Sequence, residues 1–113
     1  MSATALKLRL RADLKAAMHA RSADEVRLLR TLIAALDTAQ AVAEPPRAFG
    51  SRKFGDPSGE VARREIDARA LDALLLAEID ARLSAVEDYE RHQQDAEAAR
   101  LRHETELIAR YRA

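Results

Sequence analysis

The chain of 113 residues contains no cysteine, so disulfide bonds and thiolate metal sites are excluded. Glycine and proline are scarce, with three residues each, and all six lie between positions 45 and 59. Aromatic residues make up 4% of the chain. No segment approaches the roughly 20 apolar residues that a membrane-spanning helix needs. The amino-terminal segment also lacks the apolar stretch of a signal peptide, so a cytoplasmic location is expected.

The formal net charge is zero, with 19 basic and 19 acidic side chains. A dedicated nucleic-acid-binding protein usually carries a basic excess, so this balance argues against strong non-specific binding. The charges are unevenly distributed, however. Residues 1–43 carry 7 basic and 4 acidic side chains, whereas residues 66–113 carry 7 and 11. The two ends can pair within the molecule, which we favour, or face different partners.

Alanine occurs throughout the chain, and no run of alternating β-branched residues indicates a strand. The pattern predicts an all-α fold: a four-helix antiparallel bundle with one long loop between helices 2 and 3, in a single domain over 1–113. Helix 1 is predicted over 4–20. Its apolar stripe consists of Leu6, Leu10, Leu14 and Met18, and its solvent-facing side carries Lys7, Arg9, Arg11 and Lys15.

The remaining helices are predicted from their caps and apolar spacing. Ser22 and Glu25 form a capping box for helix 2, which continues to about 43 and completes a hairpin over 4–43. Asp67 is the predicted N-cap of helix 3, which ends near 92, and Asp95 is the predicted cap of helix 4. These two helices form a second hairpin over 67–111, after a Pro/Gly-rich loop at 44–66.

Catalytic and metal-binding patterns are not found in the sequence. His19, His92 and His103 lack a second ligand at a suitable spacing, and the glycines do not form a phosphate-binding loop. We therefore predict no catalytic residue, no metal and no cofactor. Glu78 and Arg82 are four residues apart in the favourable order. They form either an ion pair that fixes helix register, which we favour, or a ligand-binding pair.

The predicted loop combines aromatic and basic residues: Phe49 and Phe54 with Arg47, Arg52 and Lys53. A long irregular segment in a small domain is typically a solvated connector or a functional loop. The same combination can stack on single-stranded bases, and the two phenylalanines can instead cover one end of the bundle.

Two long segments carry a family resemblance: LRADLKAAMHARSADEVRLLRTLIAAL, and IDARALDALLLAEIDARLSAVEDYERHQQDAEAARLRHETELIARY after the loop. The pattern includes Leu28-Leu29-Arg30, Glu78 and Arg82, Tyr89-Glu90, and Glu104 ahead of Leu107, Ile108 and Tyr111. It resembles the amino-terminal helical part of the GatB/YqeY family. That family comprises the tail domain of the GatB component of the tRNA-dependent amidotransferase and small stand-alone bacterial proteins.

The resemblance implies a helical accessory module that engages tRNA, while the amide chemistry resides in other domains. It also implies the family label of a carbon–nitrogen ligase with glutamine as amido donor, although the isolated chain is not expected to transfer an amide. The implied partners are tRNA or an amidotransferase or synthetase protein. Family members typically continue past the fourth helix with a Leu-Pro step and a further small subdomain.

Three hypotheses for function follow. The first is an RNA-contacting accessory module that uses Lys7, Arg11 and Lys15 with Arg47, Arg52 and Lys53. The second is a self-associating bundle, in which the absence of the family's further subdomain leaves an apolar face uncovered at Tyr89, Leu107, Ile108 and Tyr111. The third is an enzyme whose site is completed by a partner.

Overall fold

A computed structural model describes residues 1–42 and 66–112 of the chain. This part forms four α-helices, which we label α1 (Ala3–His19), α2 (Ala23–Val42), α3 (Ala68–Arg91) and α4 (Asp95–Ala109). The predicted all-α fold is confirmed. Residues 44–65 of the predicted loop lie outside the described residues, and with them Arg47, Phe49, Arg52, Lys53 and Phe54.

Side-chain caps fix the starts of α1 and α3. Ser2 Oγ accepts a hydrogen bond from the Ala5 amide at 3.0 Å, and Asp67 Oδ1 accepts one from the Ala70 amide at 2.7 Å. Each bond satisfies an amide that has no partner within the helix. The predicted N-cap at Asp67 is therefore confirmed.

The predicted cap at Asp95 is wrong, because Asp95 is the first helical residue of α4. The N-cap is Gln94, whose side chain makes no capping hydrogen bond. Asp95 instead places a carboxylate in the first turn, as does Glu97. A negative charge there is favourable because it faces the positive end of the helix dipole.

The corner between α1 and α2 is a tight turn closed by two backbone hydrogen bonds. The Ser22 amide donates to the Ala17 carbonyl at 3.0 Å, and the Arg21 amide donates to the Met18 carbonyl at 3.2 Å. The predicted capping box of Ser22 and Glu25 is therefore wrong, because the Ser22 amide is used in this turn and not by the Glu25 carboxylate. Arg21 has a φ of 57°, which places it in the left-handed region. This arrangement is a Schellman motif, which usually has glycine at that position.

The corner between α3 and α4 repeats this turn. The Gln94 amide donates to the Tyr89 carbonyl at 2.8 Å, the Gln93 amide donates to the Glu90 carbonyl at 3.0 Å, and Gln93 also has a φ of 57°. A turn of this length brings the next helix back alongside the previous one. The described chain is therefore two helical hairpins, α1–α2 and α3–α4.

One apolar core joins the two hairpins. Its fully buried side chains come from all four helices and are Leu6, Leu10, Leu32, Leu36, Leu75 and Ile108. Burying a leucine or isoleucine contributes about 1.5–3 kcal/mol. A smaller cluster of Val86, Ala98 and Leu101 lies within the second hairpin alone.

The predicted apolar stripe of α1 is correct at Leu6 and Leu10, which are buried, and wrong at Met18. Met18 is 52% exposed, whereas Ala17 is buried. Positions four apart rotate by about 40° at each step, because an α-helix has 3.6 residues per turn. After three such steps from Leu6, the stripe has turned away from the core.

None of the four helices in the described ranges is long and apolar enough to cross a membrane.

Candidate basic surface and corner cleft

Lys7 is buried, so its predicted place on the solvent-facing side of α1 is wrong. It is 6% exposed, and its Nζ lies 2.5 Å from Asp37 Oδ1 of α2. Lys7 is four residues after Ala3 and three before Leu10, and both of these face the core. Its aliphatic stem therefore packs at the inner edge of α1. The ammonium ties α1 to α2 and is not displayed to solvent as a phosphate ligand would be.

Arg11 and Lys15 are exposed, as predicted for α1. Neither forms an ion pair with a residue in the described ranges. They are seven and three residues before Met18, so the three side chains lie on one side of the helix. That side leads towards the corner between α1 and α2.

An open groove of about 800 Å³ lies at this corner and along the outer face of α2. Three arginines line it: Arg21 from the corner, and Arg27 and Arg30 from α2. Its apolar lining includes the exposed Met18 and the partly buried Val26. We call Arg11, Lys15, Arg21, Arg27 and Arg30 together the basic surface.

Only one acidic side chain forms an ion pair with this surface in the part of the chain that the structure describes. Asp24 Oδ1 lies 3.5 Å from Arg27 Nη2, and both side chains are more than half exposed. Exposed pairs of this kind contribute little to stability, typically below about 1 kcal/mol. The basic surface therefore remains available to an anionic partner.

Within residues 1–42 and 66–112, no ion pair joins the first hairpin to the second. Among the described residues, the pairs of the first hairpin are Lys7–Asp37 and Arg27–Asp24. The pairs of the second hairpin include Arg82–Glu104, Arg102–Glu90 and Arg112–Asp72. Direct ion pairs among these residues therefore do not support our favoured interpretation, that the basic and acidic ends pair with each other.

The second hairpin contains a continuous ion-pair network. Arg82 Nη1 lies 2.8 Å from Glu78 Oε2, and Arg82 Nε lies 2.9 Å from Glu104 Oε1. Arg100 extends the network from the other oxygen of Glu104, at 2.7 Å, to Glu97, at 2.8 Å. Because Arg82 is on α3 and Glu104 on α4, the network fixes the register of the two helices.

Arg82 is held as a cation in this network. Burial by itself would lower the pKa of Arg82, but the hydrogen bonds with Glu78 and Glu104 outweigh that effect and raise the pKa above its usual range. Of the two interpretations of Glu78 and Arg82, this geometry supports the register-fixing ion pair. The sequence pattern did not identify Glu104 and Arg100 as their partners, because the cross-helix pairing depends on how α3 and α4 pack.

The expected uncovered apolar face is wrong at two of its four residues. Ile108 is 0% exposed and Tyr111 is 7% exposed, whereas Tyr89 and Leu107 are partly buried. The end of α4 packs into the core shared by both hairpins, so the chain's own first hairpin covers this surface.

Tyr111 ties the end of α4 to α1. Its hydroxyl donates to Asp13 Oδ2 at 2.5 Å, and the Arg9 guanidinium carbon lies 4.7 Å from the centre of its ring. Arg9 Nη2 also donates to the carbonyl of Arg110 at 3.3 Å. Burial raises the pKa of Tyr111, and the hydrogen bond to Asp13 raises it further.

A cleft of about 430 Å³ opens beside this contact. It lies between the α1–α2 corner and the end of α4, and we call it the corner cleft. Its charged lining comes from both hairpins and consists of Arg9, Asp13, Glu25 and Arg110. Its apolar lining consists of Ala16, Ala17, Ala20, Leu28, Leu29 and Leu107. The sequence pattern does not identify this cleft, because its walls combine α1 and α2 with the end of α4, which is distant from them in sequence.

The three histidines lie on different helices or at their ends. His19 ends α1, His92 is the C-cap of α3, and the His103 Nδ1 lies 4.0 Å from Glu106 Oε2 on α4. Across residues 1–42 and 66–112, no group of three or more His, Cys, Asp or Glu residues is arranged to hold a metal ion.

No known family model matches this chain, and no curated protein matches its sequence.

Proposed function

We propose that this protein is a non-catalytic helical accessory module that contacts RNA through the basic surface of its first hairpin. The observation that carries the proposal is the exposure of Arg11, Lys15 and Arg30, beside Arg21 and Arg27, at one corner of the molecule, where the first three have no ion-pair partner among the described residues. Arginine and lysine side chains attract nucleic acids because they replace the counterions of the phosphate backbone.

Transfer RNA is the first RNA to test, because it is what the resemblance to the GatB/YqeY family implies. On the same basis, an amidotransferase or a synthetase protein is a candidate for the assembly that the module serves. The binding surface differs from the one predicted from sequence. Arg21, Arg27 and Arg30 replace Lys7, whose ammonium is engaged by Asp37.

The proposal is tested by titrating the protein with bulk tRNA at about 50 and 200 mM salt, where phosphate-mediated binding weakens steeply. Arg30→Gln is expected to weaken binding and to reduce the slope of log K against log salt by about 1. Arg69→Gln is the matched control, because Arg69 is exposed on α3 and forms no ion pair with a described residue. No binding at either salt concentration, or equal losses in the two variants, would contradict the proposal.

The loop residues are tested separately. Charge reversal by Arg52→Glu with Lys53→Glu is expected to weaken tRNA binding if the loop extends the contact. Unchanged affinity would remove Arg47, Arg52 and Lys53 from the RNA-binding set and leave the basic surface alone.

Self-association is the second candidate function, and exposed apolar side chains favour it. Leu8 is 63% exposed and Leu83 is 45% exposed, on α1 and α3 respectively. Isolated exposed leucines are common on monomers, so this observation is weaker than the clustered arginines. Light scattering at high protein concentration decides the point, and a monomeric mass would reject self-association.

A further inference from the structure

Two oppositely charged side chains line the corner cleft without contacting each other. Glu25 lies on α2 and Arg110 follows α4, and both face the same space. Neither side chain forms a hydrogen bond or an ion pair with any residue in the described ranges. Opposite charges across a cleft leave room for a ligand that carries both complementary charges.

A second pair of charges faces the cleft with unused hydrogen-bonding capacity. Asp13 uses Oδ2 to accept from Tyr111, which leaves Oδ1 without a partner among the described residues. Arg9 uses one N–H to bond the carbonyl of Arg110, and a guanidinium has five N–H groups. Because Arg9 also packs over the Tyr111 ring, both side chains are held in position before any ligand arrives.

The space between these charges is apolar and of ligand size. Three alanines of α1, Ala16, Ala17 and Ala20, have side chains too short to fill it, and Leu28 and Leu107 contribute apolar walls. The volume of about 430 Å³ falls within the range of small-molecule sites, roughly 300–1,000 Å³.

We infer that the corner cleft binds a small zwitterion with an aliphatic body, of the free α-amino acid class. The ligand carboxylate accepts hydrogen bonds from Arg9 and Arg110, and its ammonium donates to Asp13 and Glu25. The aliphatic body packs on the alanine and leucine lining. This site goes beyond the proposed RNA contact and uses none of the five residues of the basic surface.

The test is a titration of the full chain with L-leucine, up to about 10 mM, followed by amide NMR shifts and calorimetry. Two analogues each lack one charge: 3-methylbutylamine lacks the carboxylate, and 4-methylpentanoate lacks the ammonium. Leucine is expected to bind at least about tenfold more tightly than either analogue. Absence of leucine binding, or equal affinity for an analogue, would overturn the inference.

Variants locate the site. Glu25→Gln and Arg110→Gln each replace one charged group that has no described partner, so the fold is expected to persist. Each is expected to weaken leucine binding at least about fivefold, by removing a charge-assisted hydrogen bond. Glu87→Gln and Arg69→Gln are matched controls at exposed positions of α3 and should bind leucine as the natural chain does. Unchanged leucine binding by both cleft variants would contradict the assignment of the leucine site to the corner cleft.

The same variants separate this inference from the proposed function. Glu25→Gln should retain salt-dependent tRNA binding, whereas Arg30→Gln should retain leucine binding. Loss of leucine binding in Arg30→Gln would place the ligand on the basic surface and contradict the corner cleft.

Discussion

The two hairpins end their leading helices with the same backbone turn but use their charged side chains differently. In α3–α4, partly buried arginines and the buried carboxylate of Glu104 form a network that links the two helices, from Glu78 through Arg82 to Glu104. In the described part of α1–α2, the ion pair between buried Lys7 and partly exposed Asp37 links the two helices. The arginines at and beyond the corner are left facing solvent.

This difference shows why net charge is a poor guide to the surface of this protein. The second hairpin carries more acidic side chains, but many of them are engaged by its own arginines. The first hairpin has a smaller charge excess, and most of that excess is displayed. The expected consequence is that disturbing a charged residue costs stability in α3–α4 and costs binding in α1–α2.

The largest expected effect concerns the core that joins the hairpins. Leu36→Ala removes a fully buried side chain and is expected to destabilise the protein near the upper end of about 2–5 kcal/mol. Leu101→Ala makes the same change in the smaller cluster, at 9% exposure, and should cost less. Urea denaturation measures both, and a larger cost for Leu101→Ala would contradict a shared core as the main source of stability.

The next effect concerns the ion-pair network. Arg82→Ala leaves the buried carboxylate of Glu104 without one of its two arginines, and we expect a loss of about 2 kcal/mol. Arg91→Ala is the control, since it removes only the exposed pair with Asp88 and should cost at most about 0.5 kcal/mol. Equal stabilities of the two variants would show that the network does not fix the helices.

A pH effect is expected from Tyr111, which joins the hairpins. Its folded-state pKa is raised, so the folded protein retains a proton that the unfolded chain loses above about pH 10. Stability from this contact is therefore fully present below pH 10 and falls as pH rises, by about 1.4 kcal/mol per pH unit. Tyr111→Phe should flatten that fall, and an unchanged alkaline profile would contradict the role of the Asp13–Tyr111 hydrogen bond.

The smallest expected effect concerns the left-handed residue in each of the two interhelical turns. Gln93→Gly and Arg21→Gly each relieve a left-handed non-glycine residue, and each is expected to stabilise the fold by about 0.5–1 kcal/mol. Only Arg21→Gly should weaken tRNA binding, because Gln93 is not part of the basic surface. Thermal melts measure the change in stability, and the tRNA titration measures the change in affinity. Equal tRNA affinities of the two variants would show that Arg21 is not an RNA-binding residue.

The sequence was a good guide to the helices, because their apolar spacing and the cap at Asp67 are local features. It failed where the position of a residue around the helix, and not its chemical type, determines whether the side chain is buried. Its charge predicts that Lys7 faces solvent, and its apolar side chain predicts that Met18 faces the core, but their positions around α1 produce the reverse. The type of a single residue does not show which side of the helix faces the core.

The candidate sites depend on tertiary packing, which the spacing of residues along one helix does not reveal. Ile108 and Tyr111 were expected at an open face because the covering surface belongs to the other hairpin. Arg21, Arg27 and Arg30 meet at one groove because a corner and a helix face are brought together. The uneven charge of the chain indicated a basic end but not which of its side chains are displayed.

We propose that the exposed charge of the basic surface, and not the net charge of the protein, determines tRNA binding. A triple variant of the basic surface, Arg11→Gln with Lys15→Gln and Arg30→Gln, is compared with Arg69→Gln, Arg91→Gln and Arg102→Gln in the second hairpin. Both triples change the net charge equally, and tRNA affinity is measured against salt. We expect the first triple to lose about 3 units of salt slope and the second to bind as the natural chain does. Equal losses in both triples would contradict the claim.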